Sequence, residues 1–328
     1  VSEGGCEMVR LLKEFKQDTR EMREAYCAAL IAAAEADPRV FALDCDLVSS
    51  VGTGAYVKRF PDRHLNCGIQ EANACGVAAG LSNRGFVPFM HSFGVFASRR
   101  IMDQIYISCA YAGLNVKVVG ADPGVTAAVN GGTHMALEDA GALRVIPKMT
   151  IVEPSDSVMM EDLVKRLAKH EGVDYLRMAR KKGIRLYEEG SEFPLGKAAW
   201  LREGTDVAII ASGVMVYEAL RAADMLAEEG ISATVIDMYT IKPLDIESVV
   251  RAAETTGAVV AAENHNVIGA LGSAVAEALS ENCPVPLERV GVMDRFGEVG
   301  PQEYLMDIFH LTAGDIVEKA KRAIERKR

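Results

Sequence analysis

Residues 66–82 read Asn-Cys-Gly-Ile-Gln-Glu-Ala-Asn-Ala-Cys-Gly-Val-Ala-Ala-Gly-Leu-Ser and predict a helix whose start carries a single acid, Glu71. The other side chains are mostly small, so another backbone segment can approach the helix closely and exclude water from the acid. A desolvated carboxylic acid tends to stay protonated, and a protonated acid can donate a hydrogen bond in catalysis. The simpler alternative is that Glu71 only stabilises the positive end of the helix dipole.

Strands and helices are predicted to alternate on both sides of this helix. Short apolar runs predict strands at 39–44, 64–68, 86–91, 115–121, 149–153 and 174–179. Helical patterns occupy 95–111, 156–170 and 18–36, the last with Asp18 or Thr19 as its N-cap, and a Gly-rich loop occupies 122–133. Nearly continuous apolar strands that alternate with helices are typical of a mostly parallel sheet covered on both faces.

The alternation is interrupted once, at residues 183–196, which are charged, lack a sustained period and contain a Pro and three Gly. This composition predicts an interdomain linker. Strands are predicted again at 207–211, 233–237, 258–262 and 287–292, and a last helix begins near Ala313, with Thr312 and Asp315 as a capping box. The predicted fold class is α/β with two doubly wound sheets. The predicted divisions are an N-terminal arm (1–14), a first domain (15–183), a linker (184–196) and a smaller second domain (197–328).

Composition limits the classes of function. The chain has 328 residues, a formal net charge of −10 and 49% hydrophobic residues, which disfavours nucleic acid or an anionic membrane as its partner. No apolar run has the length of a membrane span, and Val1–Cys6 lacks the pattern of a secretory signal. Seven scattered cysteines without Cys-x-x-Cys pairs or metal-ligand spacing predict buried thiols, a cytoplasmic location and no metal ligands in this chain.

Polar and aromatic side chains follow many of the predicted strands. Because the carboxyl ends of parallel strands meet at one edge of a sheet, we expect these side chains to lie along one rim of the first domain. They include Asp46, Ser50, Glu71, Phe93, Phe96, Asp122, Asn130, His134 and Arg180.

The chain carries a series of short motifs in a fixed order. They are Asn66–Glu71 (NCGIQE), His91–Phe96 (HSFGVF), Gly131–His134 (GGTH) with Glu138 and Asp139, Asp18–Arg20, Asp46–Ser50, Ala179–Lys181, Glu263–Ser273 and Val292–Gly297. Together these motifs resemble the C-terminal half of the transketolase family of thiamine diphosphate enzymes, over about residues 15–328. The resemblance implies that the first domain binds the pyrimidine ring of the cofactor and that the second is the family's C-terminal domain.

The resemblance implies roles for the residues nearest the cofactor. Glu71 would share a proton with the ring nitrogen of the pyrimidine, while Phe93 and Phe96 would stack on the ring and Asp46 would line its site. His134 would bind the donor sugar or shuttle protons. The alternatives are core packing for the two phenylalanines and a hydrogen-bonded loop position for the histidine.

Further residues would bind the phosphorylated sugar. The resemblance assigns this role to Arg20, Ser50, Asp122, Asn130 and Arg180. An arginine suits it because its guanidinium can hold a phosphate bidentately. The alternative for each arginine is an ion pair with an acid of the same chain.

Full-length family members hold the diphosphate and Mg²⁺ in a preceding domain through Gly-Asp-Gly and a downstream Asn. This chain contains no Gly-Asp-Gly. The resemblance therefore implies one half of a split transketolase, which transfers a two-carbon ketol unit between phosphorylated sugars. Its partner would be a separate N-terminal subunit that supplies the diphosphate and Mg²⁺ site, and the two would assemble as a dimer of heterodimers.

Three positions depart from the family pattern. Asn130 stands where ordinary transketolases have an Asp, Asp122 where many have a His, and Arg99 near the position of a Tyr. The altered sugar half of the motif predicts a ketose other than the common pentose phosphates, either branched or otherwise modified. The alternative functions are a β subunit of a 2-oxo acid dehydrogenase E1, a deoxyxylulose-phosphate-synthase-like subunit, and a non-catalytic scaffold or regulatory subunit.

Overall fold

The computed structural model describes residues 9–327. A 3-10 helix at Pro61–Arg63 precedes the third strand, and a π-helix at Gln104–Tyr111 precedes the fifth. A second 3-10 helix, at Gly124–Asn130, follows the fifth strand and is kinked at Ala128. In chain order the other elements of the first part are β1 (Leu11–Gln17), α1 (Met22–Ala36), β2 (Val40–Asp44), α2 (Val48–Val51), α3 (Gly54–Arg59), β3 (His64–Asn66), α4 (Glu71–Asn83), β4 (Val87–Phe93), β5 (Lys117–Ala121), α5 (Asp139–Arg144), β6 (Thr150–Val152), α6 (Ser157–Lys169), β7 (Asp174–Met178) and β8 (Ile184–Tyr187).

The second part of the chain also alternates strands with helices. Its last helix begins as predicted, because the Thr312 side chain accepts a hydrogen bond from the Asp315 amide and Asp315 accepts one from the Thr312 amide. The elements are β9 (Ala199–Arg202), β10 (Val207–Ala211), α7 (Met215–Glu228), β11 (Ala233–Asp237), β12 (Thr240–Lys242), α8 (Ile246–Thr256), β13 (Val259–Asn266), α9 (Leu271–Asn282), β14 (Leu287–Val292), α10 (Gln302–Ile308) and α11 (Ala313–Glu325).

Within residues 9–327 the strands form a sheet of seven, a sheet of five and a separate pair. The large sheet has the order β12-β6-β7-β5-β4-β2-β3, and the smaller sheet has the order β14-β13-β10-β11-β9. Neighbours are parallel except for β12 and β9, which are antiparallel at the sheet edges. Strands such as β5, β7 and β10 are buried along their whole length, as expected for parallel strands covered on both faces. The predicted α/β class with two doubly wound sheets is confirmed.

The segment predicted as a linker begins with a strand. β8 pairs antiparallel with β1, with Leu11 opposite Tyr187. Residues 11–14 of the predicted arm therefore lie in a strand, and residues 1–8 lie outside the described part of the chain. Local sequence did not reveal this pair because the exposed charged side chains of a two-stranded ribbon obscure the alternation of apolar residues.

Two predicted helix boundaries are wrong. The helix α1 begins at Met22, where Glu21 forms a capping box with Glu24, so neither Asp18 nor Thr19 is the N-cap. The Asp18 carboxylate instead accepts hydrogen bonds from the Arg20 amide and the Ser157 hydroxyl. Of the helix predicted at 95–111, residues 94–100 form turns and only the last part is helical.

The two domains are joined by a shared sheet edge and by buried charges. The strand β12 comes from the second domain but pairs with β6 of the first. Arg177 donates hydrogen bonds to Asp139 and Glu153, and to the carbonyl oxygen of Asn264 in the second domain. Glu153 also accepts a hydrogen bond from the Ser212 hydroxyl across the interface. Buried charges are tolerated because each carboxylate has both a cation and hydrogen-bond donors.

Asp237 is another buried acid at this junction. Its carboxylate accepts hydrogen bonds from the hydroxyl groups of Ser155 (2.5 Å) and Tyr187 (2.6 Å). Burial raises the pKa of Asp237 to about 7 although both hydroxyl donors oppose the shift. Below about pH 7 the folded protein therefore favours the protonated acid.

We expect the free energy of unfolding of the wild type to fall, relative to that of an Asp237→Asn variant, as the pH rises from about 4 to about 7. A pKa above the ordinary 3.8 contributes stability that is complete below about pH 4 and is lost as the pH passes 7. The difference is up to about 4 kcal/mol, since each pKa unit corresponds to about 1.4 kcal/mol. Urea denaturation across this range measures it. Asp224→Asn is the control, because Asp224 is exposed and pairs with Arg202. Parallel curves for the wild type and Asp237→Asn would contradict the assignment.

Among the residues that the structure describes, no helix has both the length and the apolar character needed to cross a bilayer.

Candidate active site

The carboxyl ends of five adjacent strands place the predicted residues along one edge of the large sheet. Asp46 follows β2, Glu71 follows β3, Phe93 ends β4, Asp122 follows β5 and Arg180 follows β7. These strands are neighbours in the order β7-β5-β4-β2-β3. The predicted residues therefore lie at the carboxyl end of the sheet, which is where parallel α/β sheets bind their ligands.

Glu71 is the first residue of α4, and its side chain is buried. One carboxylate oxygen accepts a hydrogen bond from the Ser92 hydroxyl (3.0 Å), and the other accepts one from the Arg100 guanidinium (2.9 Å). The acid is thus held in a defined position at a helix start by a hydroxyl group and a cation.

The helix α4 buries Ala74 and Ala78, but Gly76 and Gly80 are exposed, and a Cβ atom on either glycine would meet nothing within 4 Å. Among the described residues, no backbone segment makes the close approach to these glycines that the small side chains predicted.

Three aromatic rings lie beside this acid. The ring centroids of Phe93 and Phe96 are 6.4 Å apart, and the His134 ring is 5.3 Å from each of them in edge-to-face contact. The Arg100 guanidinium carbon lies 3.8 Å from the centroid of Phe96, and that of Arg180 lies 4.9 Å from the centroid of Phe93. Each phenylalanine therefore has a cation over its ring. The structure brings His134 and both predicted stacking residues together.

The loop that carries His134 is supported by the second domain. The Asn264 side chain accepts a hydrogen bond from the Val125 amide (2.8 Å), which anchors the start of the loop. A Cβ atom on Gly132 would lie 2.3 Å from the carbonyl oxygen of Gly297, so only glycine allows this approach. Thr133 Oγ1 is within hydrogen-bond distance (3.0 Å) of His134 Nδ1. Of the Gly-rich loop predicted at 122–133, residues 124–130 form the 3-10 helix.

The predicted sugar-binding arginines are each paired with an acid of this chain. Arg180 Nε donates to Asp122 Oδ2 (2.7 Å), and Arg180 Nη1 donates to the Ser50 carbonyl oxygen (3.1 Å). Arg20 pairs with Glu161 at 2.5 Å. Asp122, one of the departures from the family pattern, is thus the partner of the arginine expected to bind the anion.

Two other predicted residues occupy exposed loops. Asn66 joins Asp46 to the segment before Glu71, because the Asn66 side chain accepts from the Asp46 amide (3.0 Å) and donates to its carboxylate (3.2 Å). Asn130 is exposed at the end of the 3-10 helix.

Sequence reasoning missed the contact of Arg100 with Glu71 and assigned no role to Ser92. Arg100 stands four residues after Phe96 and next to Arg99, so its position near the aromatic segment was a usable signal. Ser92 directly precedes Phe93 on β4, and a strand end next to an expected site residue was a signal of the same kind.

Fold and site together define a two-domain α/β protein in which a buried acid shares the guanidinium of Arg100 with a cluster of edge-to-face aromatic rings. The comparisons with known proteins agree with the resemblance that the sequence motifs indicated. The chain matches the transketolase pyrimidine binding domain over residues 18–183 and the transketolase C-terminal domain over residues 196–316. It belongs to the transketolase family, as its motifs indicated.

Relatives align over nearly the whole chain. The 6-deoxy-6-sulfo-D-fructose transketolase subunit SqwH from Clostridium sp. (strain MSTE9) is 51% identical over 96% of this chain and 98% of its own length. An apulose-4-phosphate transketolase subunit from Phocaeicola vulgatus is 40% identical over 83% of this chain and 87% of its own. A solved structure described as "Split gene transketolase, inactive beta4 tetramer" has a TM-score of 0.87 and 42% identity, over 94% of this chain and 99% of that chain.

Proposed function

We propose that this chain is the pyrimidine-binding and C-terminal subunit of a split, thiamine-diphosphate-dependent transketolase. It would transfer a two-carbon ketol unit between sugars that carry a terminal anionic group. The observation that carries the proposal is the buried Glu71 carboxylate at the start of α4, beside Ser92 and the Phe93–Phe96 pair. A non-catalytic subunit would not need this acid and these rings to be kept together.

The residues present fit the aminopyrimidine ring of the cofactor. The Arg100 guanidinium, itself planar and cationic, already contacts both the Glu71 carboxylate and the face of Phe96. When bound, thiamine diphosphate would supply the nucleophilic carbon of the reaction. Glu71 would hold a proton between its carboxylate and the ring nitrogen, and the two phenylalanines, with Asp46 nearby, would orient the ring and exclude water.

His134 would act on the substrate side of the site. Its ring packs against both phenylalanines, and Thr133 and the loop of the second domain hold the backbone around it. From there it would hydrogen-bond an oxygen of the donor sugar or move a proton to it. A partner subunit would hold the diphosphate and Mg²⁺, and the working assembly would be a heterotetramer.

The charges around the predicted anion site favour a terminal group with one negative charge. Asp122 compensates Arg180, and Glu161 compensates Arg20. A phosphate ester carries about −1.5 to −2 at pH 7, whereas a sulfonate carries a single charge. The 51% identity to a 6-deoxy-6-sulfo-D-fructose transketolase subunit supports the same conclusion. We therefore propose a sulfonated ketose as the donor, with Ser50 and Asn130 at the sugar-binding end of the site.

The test is to co-purify this chain with an N-terminal transketolase subunit that carries Gly-Asp-Gly, and to assay the complex with thiamine diphosphate and Mg²⁺. We expect turnover by the complex and none by this chain alone. We expect kcat/KM for 6-deoxy-6-sulfo-D-fructose to exceed that for D-fructose 6-phosphate by about tenfold or more, equivalent to about 1.4 kcal/mol. D-fructose 6-phosphate is the matched control because only the terminal group differs. Turnover by this chain alone would refute the split site, and comparable activity on xylulose 5-phosphate would refute the modified donor.

A further inference from the structure

Arg100 makes two contacts with one guanidinium group. Its Nη1 donates to Glu71 Oε2 at 2.9 Å, and its guanidinium carbon lies 3.8 Å from the centroid of the Phe96 ring. The side chains of Glu71 and Arg100 differ in how freely they can move, because the Glu71 side chain is 3% exposed and the Arg100 side chain is 44% exposed. The carboxylate is therefore fixed, whereas much of the arginine side chain lies at the surface of this chain, where it can turn away from Glu71.

A guanidinium resembles a protonated aminopyrimidine in the features that these partners recognise. Both groups are planar, carry a delocalised positive charge and present N–H donors at their edge. The carboxylate recognises the charge and the N–H group, and the ring recognises a flat cationic face.

We propose that Arg100 is a placeholder for the aminopyrimidine ring, and that the ring must displace it from Glu71 and Phe96 in order to bind. This inference rests on the proposed function, because it takes thiamine diphosphate as the ligand of Glu71. A ring face that already carries a guanidinium at stacking distance cannot stack a second planar group in the same place.

Arg180 provides a contrast within the same site. It also lies over a phenylalanine, Phe93, but its guanidinium is bound to Asp122 and to the Ser50 carbonyl oxygen, and its side chain is only 11% exposed. Arg180 thus belongs to the wall of the site, and Arg100 is the movable cation.

The placeholder has opposite effects on stability and on binding. A buried carboxylate without a partner is costly, so the Arg100–Glu71 pair stabilises the chain without cofactor. The cofactor gains the same carboxylate only after this pair is broken, so the pair weakens cofactor binding. A residue with a purely structural role would lower both properties when it is removed.

The test compares Arg100→Gln, Arg100→Lys and Arg99→Gln in the complex with the N-terminal subunit. Arg99 is the matched control, because it is the neighbouring arginine and pairs with the partly exposed Glu138 instead of Glu71. We measure the thermal midpoint without cofactor and the dissociation constant of thiamine diphosphate by calorimetry. Arg100→Gln should lower the midpoint and tighten cofactor binding by about three- to tenfold, equivalent to about 0.6–1.4 kcal/mol. Arg100→Lys keeps the charge but loses the flat face, so it should give a smaller change, and Arg99→Gln should change neither quantity.

Unchanged or weaker cofactor binding by Arg100→Gln would overturn the placeholder and leave the proposed function intact. The absence of saturable thiamine diphosphate binding by the wild-type complex would overturn both. If Arg100→Gln does not fold, the dissociation constant of thiamine diphosphate for Arg100→Lys serves as the test. Unchanged or weaker cofactor binding by Arg100→Lys also overturns the proposal.

Discussion

A Glu71→Gln variant of the assembled enzyme is expected to lose about 10²- to 10⁴-fold in kcat, the range typical of a positioned proton-transfer group. The glutamine has almost the same volume, so it keeps the packing at the start of α4 and can still accept a hydrogen bond from Ser92. It cannot share a proton with a ring nitrogen, because an amide does not ionise. The dissociation constant of thiamine diphosphate should change by less than about tenfold, because stacking on Phe93 and Phe96 remains. Steady-state kinetics and calorimetry measure the two quantities separately.

Glu35→Gln is the matched control for this variant. Glu35 lies on α1, is exposed and pairs with Arg59 at 3.4 Å. This control should keep the activity of the wild type, because an exposed ion pair contributes little to either stability or chemistry. If Glu71→Gln retained kcat within tenfold of the wild type, Glu71 would have no proton-holding role and the proposed function would lose its central support.

An Arg177→Met variant is expected to lose about 3–5 kcal/mol of unfolding free energy, the usual cost of removing one partner from a buried ion pair. The fully buried guanidinium donates to Asp139 at 2.9 and 3.0 Å and to Glu153 at 2.6 Å. Burial alone would raise the pKa of Asp139, but Arg177 together with His265 and Tyr175 outweighs burial, so the pKa lies below its ordinary value. Without the arginine, two buried carboxylates would face each other with no cation between them. Urea denaturation measures the loss.

Arg202→Met is the corresponding control. Arg202, on β9, is partly exposed and pairs at 2.6 Å with the exposed Asp224, so its removal should cost less than about 1 kcal/mol. Arg177 also donates to the Asn264 carbonyl oxygen of the second domain, so its loss should loosen the domain junction. A loss below about 1 kcal/mol for Arg177→Met would contradict a structural role for this network.

The regular elements of the fold could be predicted because their signals are local. The buried strands β5 and β10 appear as continuous apolar runs, and α11 begins at a capping box contained within Thr312–Asp315. The edge strands could not be predicted in this way. β12 has three residues and pairs antiparallel with a strand of the other domain, so its pattern is too short to indicate a partner.

The residues of the candidate site also divide into those that local sequence predicted and those whose contacts it could not predict. The sequence indicated the acid, the two phenylalanines and the histidine, because family motifs are contiguous stretches with fixed spacing. It left open whether Arg20 and Arg180 bind a ligand or pair with acids of this chain. The structure pairs them with Glu161 and Asp122. An ion pair forms between side chains on different elements, and its geometry follows from packing, which no local pattern records.

The sequence by itself determined the alternation of strands and helices, the family, and the presence of Glu71 at the start of a small-residue helix. These follow from local periodicity and from short motifs. Only the tertiary structure decided which cation meets that acid. Arg100 reaches Glu71 from a segment that follows β4, and it does so because the sheet places β3 and β4 on either side of β2 and brings their carboxyl ends to one edge.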